Sequence, residues 1–140
     1  MGSATRGDAL NQPKILIVED DADTRKALNL RLRSNEFDTV YAVDGFSAVS
    51  AAARERPDLI LLDIGLPAGD GFMVMERLKG NEALATIPVI ILTGRERKAT
   101  FNRAMEAGCF AYFEKPADND ALLAAIRSAI GAAAPTTSNG

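Results

Sequence analysis

Three acids, a hydroxyl and an amine stand just beyond apolar runs in this chain. Ile15-Leu16-Ile17-Val18 runs into Glu19-Asp20-Asp21, Leu59-Ile60-Leu61-Leu62 into Asp63, and Val89-Ile90-Ile91-Leu92 into Thr93-Gly94; Phe110 to Phe113 is followed by Glu114-Lys115-Pro116. Carboxylates crowded together raise one another's pKa unless a positive charge intervenes. A hard divalent cation with oxygen ligands meets that need, and Mg²⁺ suits one or two carboxylates plus waters and a phosphate. Lys115 offers a second positive charge, and Thr93 a hydroxyl donor. Such a set fits attack by a carboxylate on phosphorus. Asp63 would be the nucleophile that becomes an aspartyl phosphate, and the cation and Lys115 would stabilise oxygens carrying developing charge. A carboxylate is already ionised at neutral pH and needs no strong general base, which agrees with a chain that has no His. Singly, each residue also has a plainer reading: Asp63 and Thr93 as caps, Lys115 as a solvated charge.

The convergence depends on the elements. A short unbroken aliphatic run reads as a strand buried on both faces, the kind found in a parallel sheet. Strands are expected at 15–18, 37–42, 58–62, 89–92 and 110–113, alternating with helices at about 22–34, 45–56, 72–80, 95–107 and 118–131. This alternation predicts an α/β fold, a doubly wound (βα)5 parallel sheet with helices on both faces. The flavodoxin-like order 2-1-3-4-5 sets strands one and three side by side at the switch point and gathers the strand ends on one edge. Leu28 and Leu32, Phe46, Val49 and Ala53, Phe101 and Met105, and Leu122, Ile126 and Ile130 fall at helical spacing; Phe101 and Met105 are read as core. Asp21 and Asp23 suit a helix start. Pro57 closes the second helix, and Gly108 caps the fourth. Arg95, Arg97, Lys98 and Arg103 make the fourth helix basic, a solvated face or a contact for an acidic partner.

The totals bound the rest. A chain of 140 residues suits one core, and 16 basic against 19 acidic residues give a net charge of −3, no footprint for nucleic acid. The single Cys109 cannot form an internal disulfide; it reads as a buried small residue in a reducing compartment. No apolar run approaches the roughly 20 residues that cross a bilayer, and Met1 to Gln12 lacks the apolar core of a signal peptide. The expectation is a cytoplasmic protein bound to neither membrane nor nucleic acid. Residues 1–13 read as a flexible leader, 14–131 as the folded domain, and 132–140 as a flexible tail or linker.

Taken together, Glu19-Asp20, Leu61-Leu62-Asp63 with Pro67 and Asp70-Gly71 behind it, Thr93-Gly94 and Lys115-Pro116 resemble a response-regulator receiver domain of two-component signalling, from Lys14 to about Gly131. The resemblance implies Asp63 as phosphoacceptor and Asp20 as a direct Mg²⁺ ligand (Mn²⁺ would also serve), with Glu19 binding through water and Gly65 through its backbone carbonyl. It implies Thr93 and Lys115 on the phosphoryl oxygens, Tyr112 changing rotamer with Thr93, and a cis Lys115-Pro116 bond. A histidine kinase or histidine phosphotransfer protein would be the donor. The face of the fourth helix, fifth strand and fifth helix would bind a downstream protein or a second copy. Such a domain is a switch rather than an enzyme, assisting only its own phosphorylation and dephosphorylation. Ile64 and Gly65 fall at positions that tune those rates in relatives, and a glycine offers no side chain to hold a water. The rival readings are a non-phosphorylated pseudo-receiver that only binds proteins, an Asp-nucleophile phosphatase, and a flavodoxin-like cofactor binder. Haloacid-dehalogenase-like phosphatases need a second acid where Gly65 stands, and Glu19-Asp20-Asp21 would repel a flavin phosphate.

Overall fold

The computed structural model describes residues 12–65, 71–94 and 98–133. Most of the expected leader, the loop carrying Pro67 and Asp70, Arg95 and Arg97, and residues 134–140 lie outside the described residues. Five strands, β1 (Lys14–Val18), β2 (Asp38–Ala42), β3 (Leu59–Asp63), β4 (Val89–Thr93) and β5 (Ala111–Glu114), alternate with α1 (Ala22–Arg33), α2 (Gly45–Glu55), α3 (Gly71–Lys79), α4 (Lys98–Glu106) and α5 (Asn119–Ala133). The sheet order is β2-β1-β3-β4-β5 and every pairing is parallel. The expected doubly wound α/β architecture is therefore present, in the expected order.

The strands read as aliphatic runs because helices cover both of their faces. Leu16, Val18, Ile60, Leu62, Val89 and Ile91 meet α2, α3 and α4 through Ala48, Ala52, Val74, Met75, Leu78 and Ala104. Their neighbours Ile15, Ile17, Leu59, Leu61, Ile90 and Leu92 meet α1 and α5 through Leu28, Leu32, Leu122 and Ile126. Each such aliphatic side chain stabilises the fold by about 1.5–3 kcal/mol when fully buried.

Local signals set the ends. The Asp21 carboxylate accepts from the Thr24 N–H at 2.8 Å and starts α1. Asp44 and Ser47 form a capping box on α2. Ahead of Pro57, Arg56 takes a left-handed conformation (φ 49°) that ends the same helix. Gly108, at φ 94°, follows α4 where few side chains would be tolerated. The Lys115-Pro116 bond is cis. α5 continues to Ala133, past the expected end at 131.

Two helix faces differ from expectation. In α2 the buried stripe is Gly45, Ala48, Ala51 and Ala52, while Phe46 is 61% exposed and Ala53 is exposed. Small residues let this helix approach the sheet closely, and the bulky ring stays outside. In α4 the core contact is Ala104; Phe101 and Met105 are 39% and 44% exposed, so neither belongs to the core. Cys109 is buried, as expected. Among the described residues no helix is long and apolar enough to cross a membrane.

Candidate functional site

The strand register assembles the site. Val18 is level with Leu62, so Glu19 follows at the height of Asp63; Asp63 is level with Leu92, and Thr93 with Glu114. Each functional residue is thus the last of its strand or the first beyond it, on the carboxyl edge where open α/β sheets hold ligands. Main-chain hydrogen bonds fix this edge: Glu19 N–H to the Ala42 carbonyl at 3.1 Å, Ile64 N–H to Leu92 at 3.2 Å, and Lys115 N–H to Thr93 at 2.7 Å.

The buried polar or charged residues among those described are Glu19, Asp63 and Thr93, all at this edge. Charged side chains are rarely buried without partners, and partners are present. Lys115 Nζ donates to Glu19 Oε1 at 2.7 Å and lies 3.5 Å from Asp63 Oδ2. The N–H of Asp21 donates to Glu19 Oε2 at 3.1 Å, and the N–H of Gly65 to Asp63 Oδ1 at 3.0 Å. Burial pushes the Glu19 carboxyl above its ordinary value, against the lowering pull of its bonds to Lys115 and Asp21, and the charge of Asp63 raises it further. Burial pulls the Lys115 amine down, yet the bond to Glu19 and the charge of Asp63 outweigh it and leave the amine above its usual range. The amine is therefore a held cation between two acids.

Glu19, Asp20 and Asp63 each place a carboxylate oxygen within 4.8 Å of the others, with Asp20 open to solvent. Hard oxygen donors at this spacing fit a divalent cation of the Mg²⁺ class. A cleft of about 360 Å³ opens above them, lined by Asp63, Gly65, Thr93, Gly94 and Lys115. The structure thus gathers Glu19, Asp20, Asp63, Gly65, Thr93 and Lys115 in one place. Tyr112 lies apart, on the α4 side of β5, half-buried and edge-on to Phe101 with ring centroids 5.3 Å apart.

Sequence reasoning missed two contributors. Arg25 Nη1 donates to the Glu19 carbonyl at 2.9 Å and steadies the turn that carries the acids; in sequence it is one more arginine on a helix. Gly94 is the second side-chain-free wall of the cleft, and its place after Thr93 was the available signal.

The model of the response regulator receiver domain family matches residues 15–127. The chain belongs to that family. It is 36% identical over 116 residues to the DNA-binding dual master transcriptional regulator RpaA of Synechocystis, covering 83% of this chain and 48% of that protein. It is 37% identical over 122 residues to the phosphate regulon transcriptional regulatory protein PhoB of Escherichia coli, covering 87% and 53% respectively. The chain thus spans about half the length of these curated relatives. A solved receiver domain of a sensor histidine kinase from Pseudomonas aeruginosa, 30% identical with a TM-score of 0.80 over 86% of this chain and 98% of that one, has a magnesium ion coordinated in its active-site cleft. This receiver domain is a two-component signalling module, and its acidic cluster is of the kind that binds Mg²⁺ in the family.

Proposed function

We propose that this receiver takes a phosphoryl group on Asp63 from the phosphohistidine of a histidine kinase or histidine phosphotransfer protein. An Asp63 carboxylate oxygen attacks phosphorus, the P–N bond to the donor imidazole breaks as the P–O bond forms, and the leaving nitrogen takes a proton. The observation that carries this reading is the Asp63 carboxylate in an open cleft with the Lys115 amine 3.5 Å away. Lys115 would stabilise the phosphoryl oxygens as charge develops on them, and the Thr93 hydroxyl would donate to one of them. Glu19, Asp20 and Asp63, with the Gly65 carbonyl, would hold Mg²⁺ or Mn²⁺, which supplies charge neutralisation for the transferred group. An apolar groove between α1 and the segment after β5 ends at Lys115 and gives a donor helix a place to lie beside the cleft.

The output is a population shift. Thr93 moves toward the phosphoryl oxygens, Tyr112 follows into the space it leaves, and the α4-β5-α5 face changes. Phe101, Met105 and Phe110, all about two-fifths exposed, would give that face its apolar contacts with a downstream protein or a second copy. Acetyl phosphate with Mg²⁺ is expected to add one phosphate to the wild type and none to Asp63→Asn, read by intact mass. Equal labelling of the variant would remove Asp63 from its role.

A further inference from the structure

Away from the Asp63 cleft, a second concavity of about 370 Å³ runs between α1 and the edge strand β2, lined by Ala22, Arg25, Lys26, Asn29, Arg33 and Thr39, with Tyr41 at its rim. Its lining has no carboxylate, although the chain is acidic overall at −3. Arg25, Asn29 and Arg33 recur every fourth residue along one face of α1, and Thr39 and Tyr41 stand two apart on β2; helical and strand periodicity thus point the set into one groove.

Both guanidiniums are held in place by neutral groups. Arg25 bonds the Glu19 carbonyl and lies over the Tyr41 ring, 4.7 Å from its centroid. Arg33 Nε donates to Asn29 Oδ1 at 3.2 Å and Thr39 Oγ1 at 3.0 Å, and its Nη2 to the Thr39 carbonyl at 3.4 Å. Thr39 Oγ1 in turn donates to Asn29 Oδ1. The acids nearby leave most of this charge in place. Asp38 reaches Arg33 only at 3.8 Å, with both side chains about half exposed, and the Asp21 carboxylate is taken up by Thr24. Among the described residues no carboxylate oxygen comes within 4.0 Å of the charge on Arg25 or Lys26. Guanidiniums already fixed by neutral bonds lose little freedom on binding an oxyanion, and the Asp38 contact to Arg33 is long and half exposed.

We propose that the α1–β2 groove binds a small phosphorylated ligand of mononucleotide size. Arg33 and Lys26 hold the phosphate, and the organic part lies against Tyr41, which is 61% exposed. Three cations around one groove favour the several oxygens of a phosphate over the two of a lone carboxylate. The volume falls in the range of small-molecule sites. This site does not depend on phosphorylation of Asp63.

The test is a ¹⁵N NMR titration of the whole chain with AMP, in EDTA and at constant ionic strength. Saturable shifts are expected at Thr39, Tyr41 and the Arg33 side-chain Nε. Losing one charge-assisted contact weakens binding by about tenfold, so Arg33→Ala and Lys26→Ala, both at exposed positions, should each show that loss while Asp63→Asn binds as the wild type does. The proposal is overturned by shifts that sodium chloride reproduces, by shifts centred on Gly65 and Lys115, or by undiminished binding to both basic-site variants. Tighter binding of hexaglutamate, displacing AMP, would make the groove a protein-docking surface and overturn it too.

Discussion

Replacing Gly71 by alanine tests how tightly the loop bearing Asp63 is packed. A Cβ on Gly71 would lie 2.7 Å from Ile64 Cα, 2.8 Å from Ile64 Cδ1 and 3.1 Å from the Asp63 carbonyl. Two of those three atoms are main chain and cannot rotate away, so the segment from Asp63 to Ile64 must move as a unit. Overpacking of this kind costs about 1–3 kcal/mol, and the helix propensity gained at the first residue of α3 offsets less than about 1 kcal/mol of it. A mid-range cost less that offset leaves about 1–2 kcal/mol; for a domain of this size about 1 kcal/mol shifts Tm by about 4 °C, so the expected fall is about 4–8 °C by calorimetry or circular dichroism. Because the displaced atoms include the Asp63 main chain, labelling by acetyl phosphate should slow as well, even well below Tm. Gly65→Ala is the internal control. Among the described residues its Cβ would meet only Asp63 Oδ1 at 3.7 Å, an ordinary contact, so Tm should move by no more than the equivalent of about 0.5 kcal/mol. A Gly71→Ala protein as stable as Gly65→Ala would refute the argument from close packing.

The α2 cap should report on pH. The Ser47 backbone N–H holds the Asp44 carboxyl below its ordinary 3.8, so its stabilising contribution is present above the unfolded pKa and is lost as pH falls through the folded one. Asp44→Ala should therefore lower Tm at neutral pH by an amount that shrinks in acid below about pH 4; a pH-independent difference would contradict this. Cys109 is buried, 3.6 Å from Met105 Sδ, and burial raises its thiol pKa. Ellman's reagent should react slowly with the folded chain and rapidly in denaturant; fast reaction in native buffer would place the thiol at the surface. Glu19→Gln removes one acid of the cluster but leaves Asp20 and Asp63. Mg²⁺ affinity, measured by NMR titration, should fall by about tenfold, and unchanged affinity would remove Glu19 from the cation site.

The fold was legible because burial on both faces leaves a continuous aliphatic signature. Ile15 to Val18, Leu59 to Leu62 and Val89 to Leu92 announce central strands, and the chemistry-bearing residues stand directly after them. The helix faces were harder. In α2 the core stripe is alanine and glycine, so Phe46 drew attention to the wrong side; apolarity marks a face only when large side chains are what the space admits. In α4, Ala104 is the buried core contact among the described side chains, while Phe101 and Met105 stay partly exposed despite their spacing. Arg25 was illegible for a different reason. Its role depends on a main-chain carbonyl of Glu19, and carbonyls leave no trace in composition or period. Gly71 was noted only as part of a motif, whereas its requirement comes from three atoms of Asp63 and Ile64.

If Asp63 takes a phosphoryl group as proposed, one lysine must serve both as a structural cation and as a partner for the incoming charge. Lys115 sits 2.7 Å from Glu19 and 3.5 Å from Asp63. At an effective dielectric of about 20, Coulomb's law makes the nearer pair stronger by only about 1–1.5 kcal/mol. That bias is small enough for a second negative charge on the Asp63 side to reverse, since doubling the charge doubles the attraction at a given distance. Lys115 therefore offsets the repulsion between the two buried acids, and under the proposed function its slight preference for Glu19 would let the amine turn to a new anion on Asp63. An arginine would fix both carboxylates through a planar fork and remove that freedom. Under the proposed function, the amine's compact charge and flexible stem would allow one residue to hold the resting site together and still answer a new anion.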